Sequence, residues 1–136
     1  MAIGNKENNS VLGLLTFLNE RPIVFDVGAN KGQWADIILD RFGDNCDLHL
    51  FEPNRKLLNY CDIKYEYKTN ITYNEFAAYK EDTTLDFFYF ENFNNELSSI
   101  YESSDWEGLP MQTRKVPAVK ISSYCQYKNI PYIDYI

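Results

Sequence analysis

Asp26, Gly28, Gly32 and Glu52 are residues whose types and spacing can do chemistry. The segment Asp26-Val27-Gly28-Ala29-Asn30-Lys31-Gly32 separates a short apolar, β-branched run, Ile23 to Val27, from an amphipathic stretch. Glycines at such a junction let the backbone turn sharply and let a ligand approach without meeting a Cβ. The first amides of a following helix carry partial positive charge and can receive a carboxylate or a phosphate. Glu52 closes the next apolar run, 24 positions after Gly28. In nucleotide-binding α/β folds an acid at that place accepts hydrogen bonds from ribose hydroxyls, and two carboxylate oxygens match two vicinal donors. The glycines are spaced GxxxG, and neither the dinucleotide fingerprint GxGxxG nor the Walker loop GxxxxGK[ST] is present. A nucleoside cofactor without phosphates is therefore preferred over NAD or ATP.

The elements that must hold these residues follow from periodicity. After Ser10, a good N-cap, Val11, Leu14, Leu15 and Leu18 fall on one helical face. This run is too short to span a membrane. Residues 1–20 read as a tail and helix, and residues 21–136 as one domain. Ile23 to Val27 reads as a parallel strand buried on both faces. Trp34, Ile37, Ile38 and Phe42 then recur at helical spacing up to Gly43, placed as a C-terminal cap. Leu48 to Phe51 is the second strand. Pro53 and Asn54 open a second helix with Leu57, Leu58 and Cys61 inward, and Ile71 to Ala78 is the third strand. This alternation predicts an α/β fold with a mostly parallel sheet and helices on both faces. Thr84 to Phe90 and Arg114 to Ile121 read as further strands, the latter at an edge or bulge because of Pro117. Asn92 to Pro110 reads as a loop, and Ile130 to Ile136 as the start of one more strand.

Composition narrows the partners. A formal net charge of -7 argues against nucleic acid, which needs clustered Lys and Arg, and against an anionic membrane. The three cysteines, Cys46, Cys61 and Cys125, include no CxxC pair. A reducing cytosol is the simplest setting, so the localisation expected is cytoplasmic. His49 is the lone histidine, and no metal site is expected. It reads as a structural residue rather than a base, Trp34 as core packing and the tyrosines as strand-face residues. Ser98 and Ser99 stand as a minor site candidate.

The segment Val24-Phe25-Asp26-Val27-Gly28-Ala29-Asn30-Lys31-Gly32-Gln33 resembles the first motif of FkbM-type methyltransferases, which use S-adenosylmethionine. Phe51-Glu52-Pro53-Asn54 resembles their ribose-binding acid motif. Asn74-Glu75-Phe76-Ala77-Ala78 is similar to the family's third strand end, and Leu97-Ser98-Ser99-Ile100-Tyr101 to its serine-rich segment. Val116 to Tyr124 and Ile133-Asp134-Tyr135-Ile136 follow in the expected order. The resemblance implies a Rossmann-like class I methyltransferase fold with S-adenosyl-L-methionine as cofactor. Asp26, Gly28, Ala29, Asn30 and Gly32 would form the cofactor loop, with Asp26 toward the methionine end. Glu52 would bind the ribose, and Ala77 would lie beside the adenine.

In that family the strand beginning at Ile133 continues into a Lys-x-Asp-x-Glu-Gly motif, which the sequence does not reach. The expectation is a cofactor-binding portion with an incomplete catalytic half and an open sheet edge that invites self-association. The function implied is O-methylation of a hydroxyl on a small molecule or glycan. A non-catalytic nucleoside-cofactor module and, less favoured by the glycine spacing, an NAD-binding oxidoreductase fragment are the alternatives.

Overall fold

The computed structural model describes residues 20–90, 98–99 and 111–136; the helix expected at Val11 to Leu18 lies outside them. Three parallel strands, β1 (Ile23–Val27), β2 (Asp47–Phe51) and β3 (Ile71–Asn74), form one sheet in the order β1-β2-β3. Helices α1 (Gln33–Phe42) and α2 (Arg55–Lys64) make the two crossovers.

On the far side of β1, Val24 bridges Tyr135 in parallel. The Phe25 N–H donates to the Tyr135 carbonyl at 2.9 Å, and the Ile23 N–H donates to the Asp134 carboxylate at 2.8 Å. β1 is therefore central, with the C-terminal segment on the side opposite β2. The strand expected from Ile130 is reduced there to a single bridge.

The alternation of side chains along β1 and β2 builds two cores. Val24, Leu48 and Leu50 face Ala35, Ile38 and Leu39 of α1 and Leu58 and Cys61 of α2. Phe25 and Phe51 face the other way, onto Tyr124. Tyr124 belongs to α3 (Ile121–Lys128), so helices cover both faces of this sheet, as the buried runs predicted. Each fully buried aliphatic here contributes about 2 kcal/mol by leaving water.

The second half departs from the expected mostly parallel sheet. β4 (Ala77–Ala78), β5 (Thr83–Tyr89), β6 (Ser98–Ser99) and β7 (Gln112–Val119) form a separate sheet in the order β4-β7-β5-β6. β4 pairs β7 in parallel, whereas β5 pairs β7 and β6 antiparallel. The continuous strand expected from Ile71 to Ala78 is broken between the sheets. Asn74 ends β3: its carbonyl accepts the Glu52 N–H at 3.0 Å and its side-chain amide donates to the Leu50 carbonyl at 3.0 Å. Phe76 then turns into the aromatic cluster, 5.5 Å from the Phe51 ring and 5.8 Å from Tyr124. Ala77 and Ala78 leave to pair with β7.

Two further expectations are corrected. β7 is an inner strand rather than an edge; Pro117 is tolerated because β4 meets only Ala118 and Val119. The strand expected from Arg114 to Ile121 runs instead over Gln112–Val119, and Ile121 opens α3. Asp82, in the turn before β5, accepts the Lys120 N–H and the Ser123 hydroxyl, each at 2.7 Å. This acid caps the helix from across the fold. Within the expected loop from Asn92 to Pro110, Ser98–Ser99 is a short strand on β5; the rest lies outside the described residues.

Candidate functional site

The strand order reverses at β1, and in open α/β sheets ligands bind outside the C-terminal tips at such a point. The chain leaves β1 through Gly28, whose φ of 76° is left-handed. The N–H groups of Gly28 and Ala29 both donate to the Phe51 carbonyl, at 2.8 and 3.1 Å, which pins the loop onto the end of β2. Asn30 is also left-handed, at φ 51°. That turn aims its N–H at Oε2 of Glu52, 2.9 Å away. The Asn54 N–H donates to Oε1 of the same residue at 2.9 Å, while the Asn54 side chain caps α2 through the Lys56 N–H.

Glu52 is thus fixed by main-chain donors from both strand tips and is only 5% exposed. Burial raises its pKa above the ordinary carboxylate value; the Asn54 and Asn30 N–H groups and the charge of Arg114 oppose that rise. A carboxylate has about four acceptor sites. With one N–H on each oxygen, each oxygen keeps acceptor capacity for a further donor.

A pocket of about 190 Å³ opens beside Glu52, lined by Gly28, Asn30, Pro53, Leu57, Ala77, Ala78 and Phe87 among others. A second, of about 350 Å³, lies across the loop and is lined by Asp26, Trp34, Tyr135 and Ile136 with Phe25. Val27 and Gly28 line both. The two cavities therefore flank the tip of β1, one carrying Glu52 and the other Asp26.

Asp26 is 5% exposed, and its Oδ2 is buried with no hydrogen-bond partner. The carboxylate accepts the Ala35 N–H of α1, yet burial pushes its pKa up to about 6, with the nearby Glu52 charge adding to the rise. The first turn of α1 is accordingly engaged by the protein's own acid, so a phosphate is not the ligand this helix end favours. The Trp34 and Tyr135 rings stack at 5.2 Å and 17° over this side. Trp34 packs on the core and also walls the cavity.

Of the seven loop and strand residues singled out from the sequence, Asp26, Gly28, Asn30, Glu52 and Ala77 line one or the other cavity. Ala29 and Gly32 line neither. Ala29 is buried in the α1–α2 core. Gly32, at φ 80°, caps α1, and a Cβ there would meet the Tyr65 hydroxyl at 2.3 Å. Its glycine is needed for packing against Tyr65. His49 bonds Tyr124 at 2.7 Å through Nδ1, away from both cavities. The side chains of Ser98 and Ser99 lie outside the described residues.

Sequence reasoning missed Leu57, Phe87 and Arg114. Leu57 and Phe87 carried only the signal of inward-facing apolar positions. Arg114 carried no local signal; the antiparallel ladder places it directly opposite Phe87. Its guanidinium donates to the Pro53 carbonyl and stands 5.9 Å from the Phe87 ring centre and 5.7 Å from that of Tyr89.

Sheet order, pinned glycine loop and buried strand-end acid define an α/β protein with a crevice at the tips of its parallel strands. The methyltransferase FkbM domain matches residues 26–136, and the chain belongs to that family of methyltransferases. No curated protein matches the chain. Among the described residues no helix is long and apolar enough to cross a membrane.

Proposed function

We propose that this protein is a Rossmann-like class I methyltransferase that binds S-adenosyl-L-methionine across the tip of β1 and methylates a hydroxyl of a small molecule or glycan. The observation that carries the reading is Glu52: a buried carboxylate, oriented by Asn30 and Asn54, with acceptor capacity left on both oxygens. That arrangement suits the two vicinal hydroxyls of a ribose.

The remaining groups fit the rest of such a cofactor. Ala77, Ala78, Leu57 and Phe87 give the Glu52 pocket apolar walls suited to a flat base. Across Gly28, the unpartnered Oδ2 of Asp26 suits an ammonium group, because a buried acceptor gains most from a charged donor. When bound, S-adenosylmethionine supplies an electrophilic methyl group on a sulfonium. The chain's own contribution is to hold the two ends of the ligand and to orient them against an acceptor, the part of catalysis that positioning provides. The acceptor class rests on the family. The free thiols of Cys46, Cys61 and Cys125 support a reducing, cytoplasmic setting.

Calorimetric titration with S-adenosylmethionine, S-adenosylhomocysteine and NAD tests the reading. Saturable binding of the first two, with none of NAD, is the expected result. Binding of NAD, or of none of the three, overturns it.

A further inference from the structure

The second sheet lines the nucleoside pocket with Ala77, Ala78 and Phe87, and beside Phe87 stands a cation. Arg114 sits on β7, opposite Phe87 on β5. Its Nη2 donates to the Pro53 carbonyl, one residue after Glu52, although the two are 61 positions apart in sequence. The guanidinium is half-buried over the rings of Phe87 and Tyr89. In this position it spans three things at once: the backbone of the Glu52–Asn54 turn, the aromatic wall of the pocket, and the electrostatic surroundings of the Glu52 carboxylate.

We propose that Arg114 is the positioning residue of the nucleoside pocket: it clamps the Glu52–Asn54 turn, seats Phe87 as the pocket wall, and supplies the positive charge that keeps Glu52 a hydrogen-bond acceptor. This rests on the reading of the cavity as a nucleoside site. The charged and titratable groups facing Glu52 come from three elements. Asp26 on β1 is a like charge beside it. Cys61 on α2 is a thiol whose pKa burial pushes up to about 11, so it is neutral at physiological pH. Arg114 on β7 is the countercharge. A buried carboxylate with an acidic neighbour stays ionised only if donors and a cation offset the cost. The Asn30 and Asn54 N–H groups are the donors, and Arg114 is the cation. A lysine cannot replace it fully, because a planar guanidinium can hold a carbonyl edge-on while lying over an aromatic ring and an ammonium cannot do both.

The test compares the wild-type chain with Arg114→Met, Arg114→Lys and a charge control, Lys115→Met. Lys115 follows in β7 but pairs with Asp86 at 2.6 Å on the opposite, exposed face. Two quantities are read: the titration of the Glu52 carboxyl by carbon-detected NMR without ligand, and the affinity for S-adenosylhomocysteine from pH 5 to pH 8. Arg114→Met should raise the Glu52 pKa and weaken binding at least tenfold. The loss should grow as pH falls, because the protonated acid no longer accepts from both hydroxyls. Arg114→Lys should restore the Glu52 titration largely and the affinity in part, and Lys115→Met should change neither. A Glu52 titration unmoved in folded Arg114→Met overturns the positioning role, as does an affinity loss independent of pH. If Arg114→Met does not fold, an Arg114→Lys chain indistinguishable from wild type in both readouts overturns the clamp. Absence of S-adenosylhomocysteine binding by the wild type counts against the nucleoside reading instead, while the ligand-free Glu52 titration still decides the role of Arg114.

Discussion

Asn30 and Glu52 are joined by a 2.9 Å hydrogen bond from the Asn30 main-chain N–H to Oε2 of Glu52. That bond links the turn after β1 to the tip of β2, and with the Asn54 N–H on Oε1 it leaves the carboxylate no freedom to rotate. The acid is preorganised before any ligand arrives, which lowers the ordering cost of binding.

Glu52→Gln tests this arrangement. An amide keeps the shape but turns one acceptor oxygen into a donor, which must then face the Asn30 or the Asn54 N–H. That clash costs stability in the free chain, whereas binding loses a charge-assisted acceptor for the ligand hydroxyls, roughly 1–3 kcal/mol. Affinity for S-adenosylhomocysteine should fall about ten- to a hundredfold, a loss of about 1.4 kcal/mol for each factor of ten. Calorimetric affinity equal to wild type would remove Glu52 from the ribose role.

The two loop glycines should separate into a ligand-facing and a packing position. Gly28 and Gly32 are both left-handed, at φ 76° and 80°, but a Cβ on Gly28 meets nothing within 4 Å, whereas one on Gly32 meets the Tyr65 hydroxyl at 2.3 Å. That hydroxyl is itself fixed, donating toward the Gly32 carbonyl at 2.9 Å and the Asp36 carboxylate at 2.6 Å. Gly28→Ala should cost roughly 1–2 kcal/mol from backbone strain alone, and should weaken ligand binding because both cavities border it. Gly32→Ala should cost about 3 kcal/mol or more, strain plus overpacking. Thermal unfolding of Gly32→Ala with and without Tyr65→Phe checks the mechanism: the two should be less than additive. Strict additivity would mean that Tyr65 is not what excludes a side chain.

The first half of the fold was legible because each element carries two independent signals. Ile23 to Val27 is a buried run followed by glycines, and α2 has both an Asn54 cap and the inward set Leu57, Leu58 and Cys61. The second half offered single, conflicting signals. Ile71 to Ala78 reads as one strand, and the break at Glu75 and Phe76 arises from tertiary contacts: Asn74 bonded back to β2 and Phe76 drawn to Phe51. α3 was hidden because its apolar stripe is short, Ile121, Tyr124 and Cys125, and only Tyr124 of its eight residues is fully buried. The strong cap for α3 comes from Asp82, 38 positions upstream of Lys120, which no local window contains. For the site, residue types at strand tips were readable, but Arg114 meets the Pro53 carbonyl beside Glu52 through sheet-to-sheet packing that no spacing encodes.

His49 should influence stability and not binding. Its Nδ1 bonds the Tyr124 hydroxyl, and burial, opposed by Asp47 and aided by Lys128, holds its pKa below 6.5. The unfolded chain therefore takes up the proton first as pH falls. The stabilising contribution is complete above about pH 6.5 and is lost as pH drops through it. Tyr124→Phe should cost about 1 kcal/mol and leave S-adenosylhomocysteine affinity unchanged. Urea midpoints between pH 5 and pH 8 check the sign: His49→Phe should remove the acid-side loss. A binding defect in folded Tyr124→Phe would instead place this pair in the site.

Asp26 should show the opposite sign, and with it a trade between stability and function. Its pKa rises from 3.8 to about 6 on folding, through burial and the Glu52 charge. For an acid, a raised folded-state value means that the folded chain holds its proton longer than the unfolded one. Asp26 therefore costs nothing below about pH 3.8. Its cost grows as pH rises from 3.8 to about 6 and levels off on the order of 3 kcal/mol near neutral pH. Asp26→Asn removes that charge while keeping an oxygen for the Ala35 N–H. It should raise the urea midpoint at pH 7.5 and much less at pH 4.5. An ammonium-bearing ligand needs the ionised form, so it should lower the Asp26 pKa on binding. S-adenosylhomocysteine affinity should then fall as pH drops below about 6. Titrations at pH 6 in buffers of different ionisation enthalpy should show a proton released in the wild type, and a smaller release in Asp26→Asn. The variant should be more stable and should bind more weakly at pH 7.5, the pattern expected where a buried charge is held for a ligand rather than for the fold. A variant that gains stability but keeps full affinity and the full proton release would show that Asp26 does not meet the ligand.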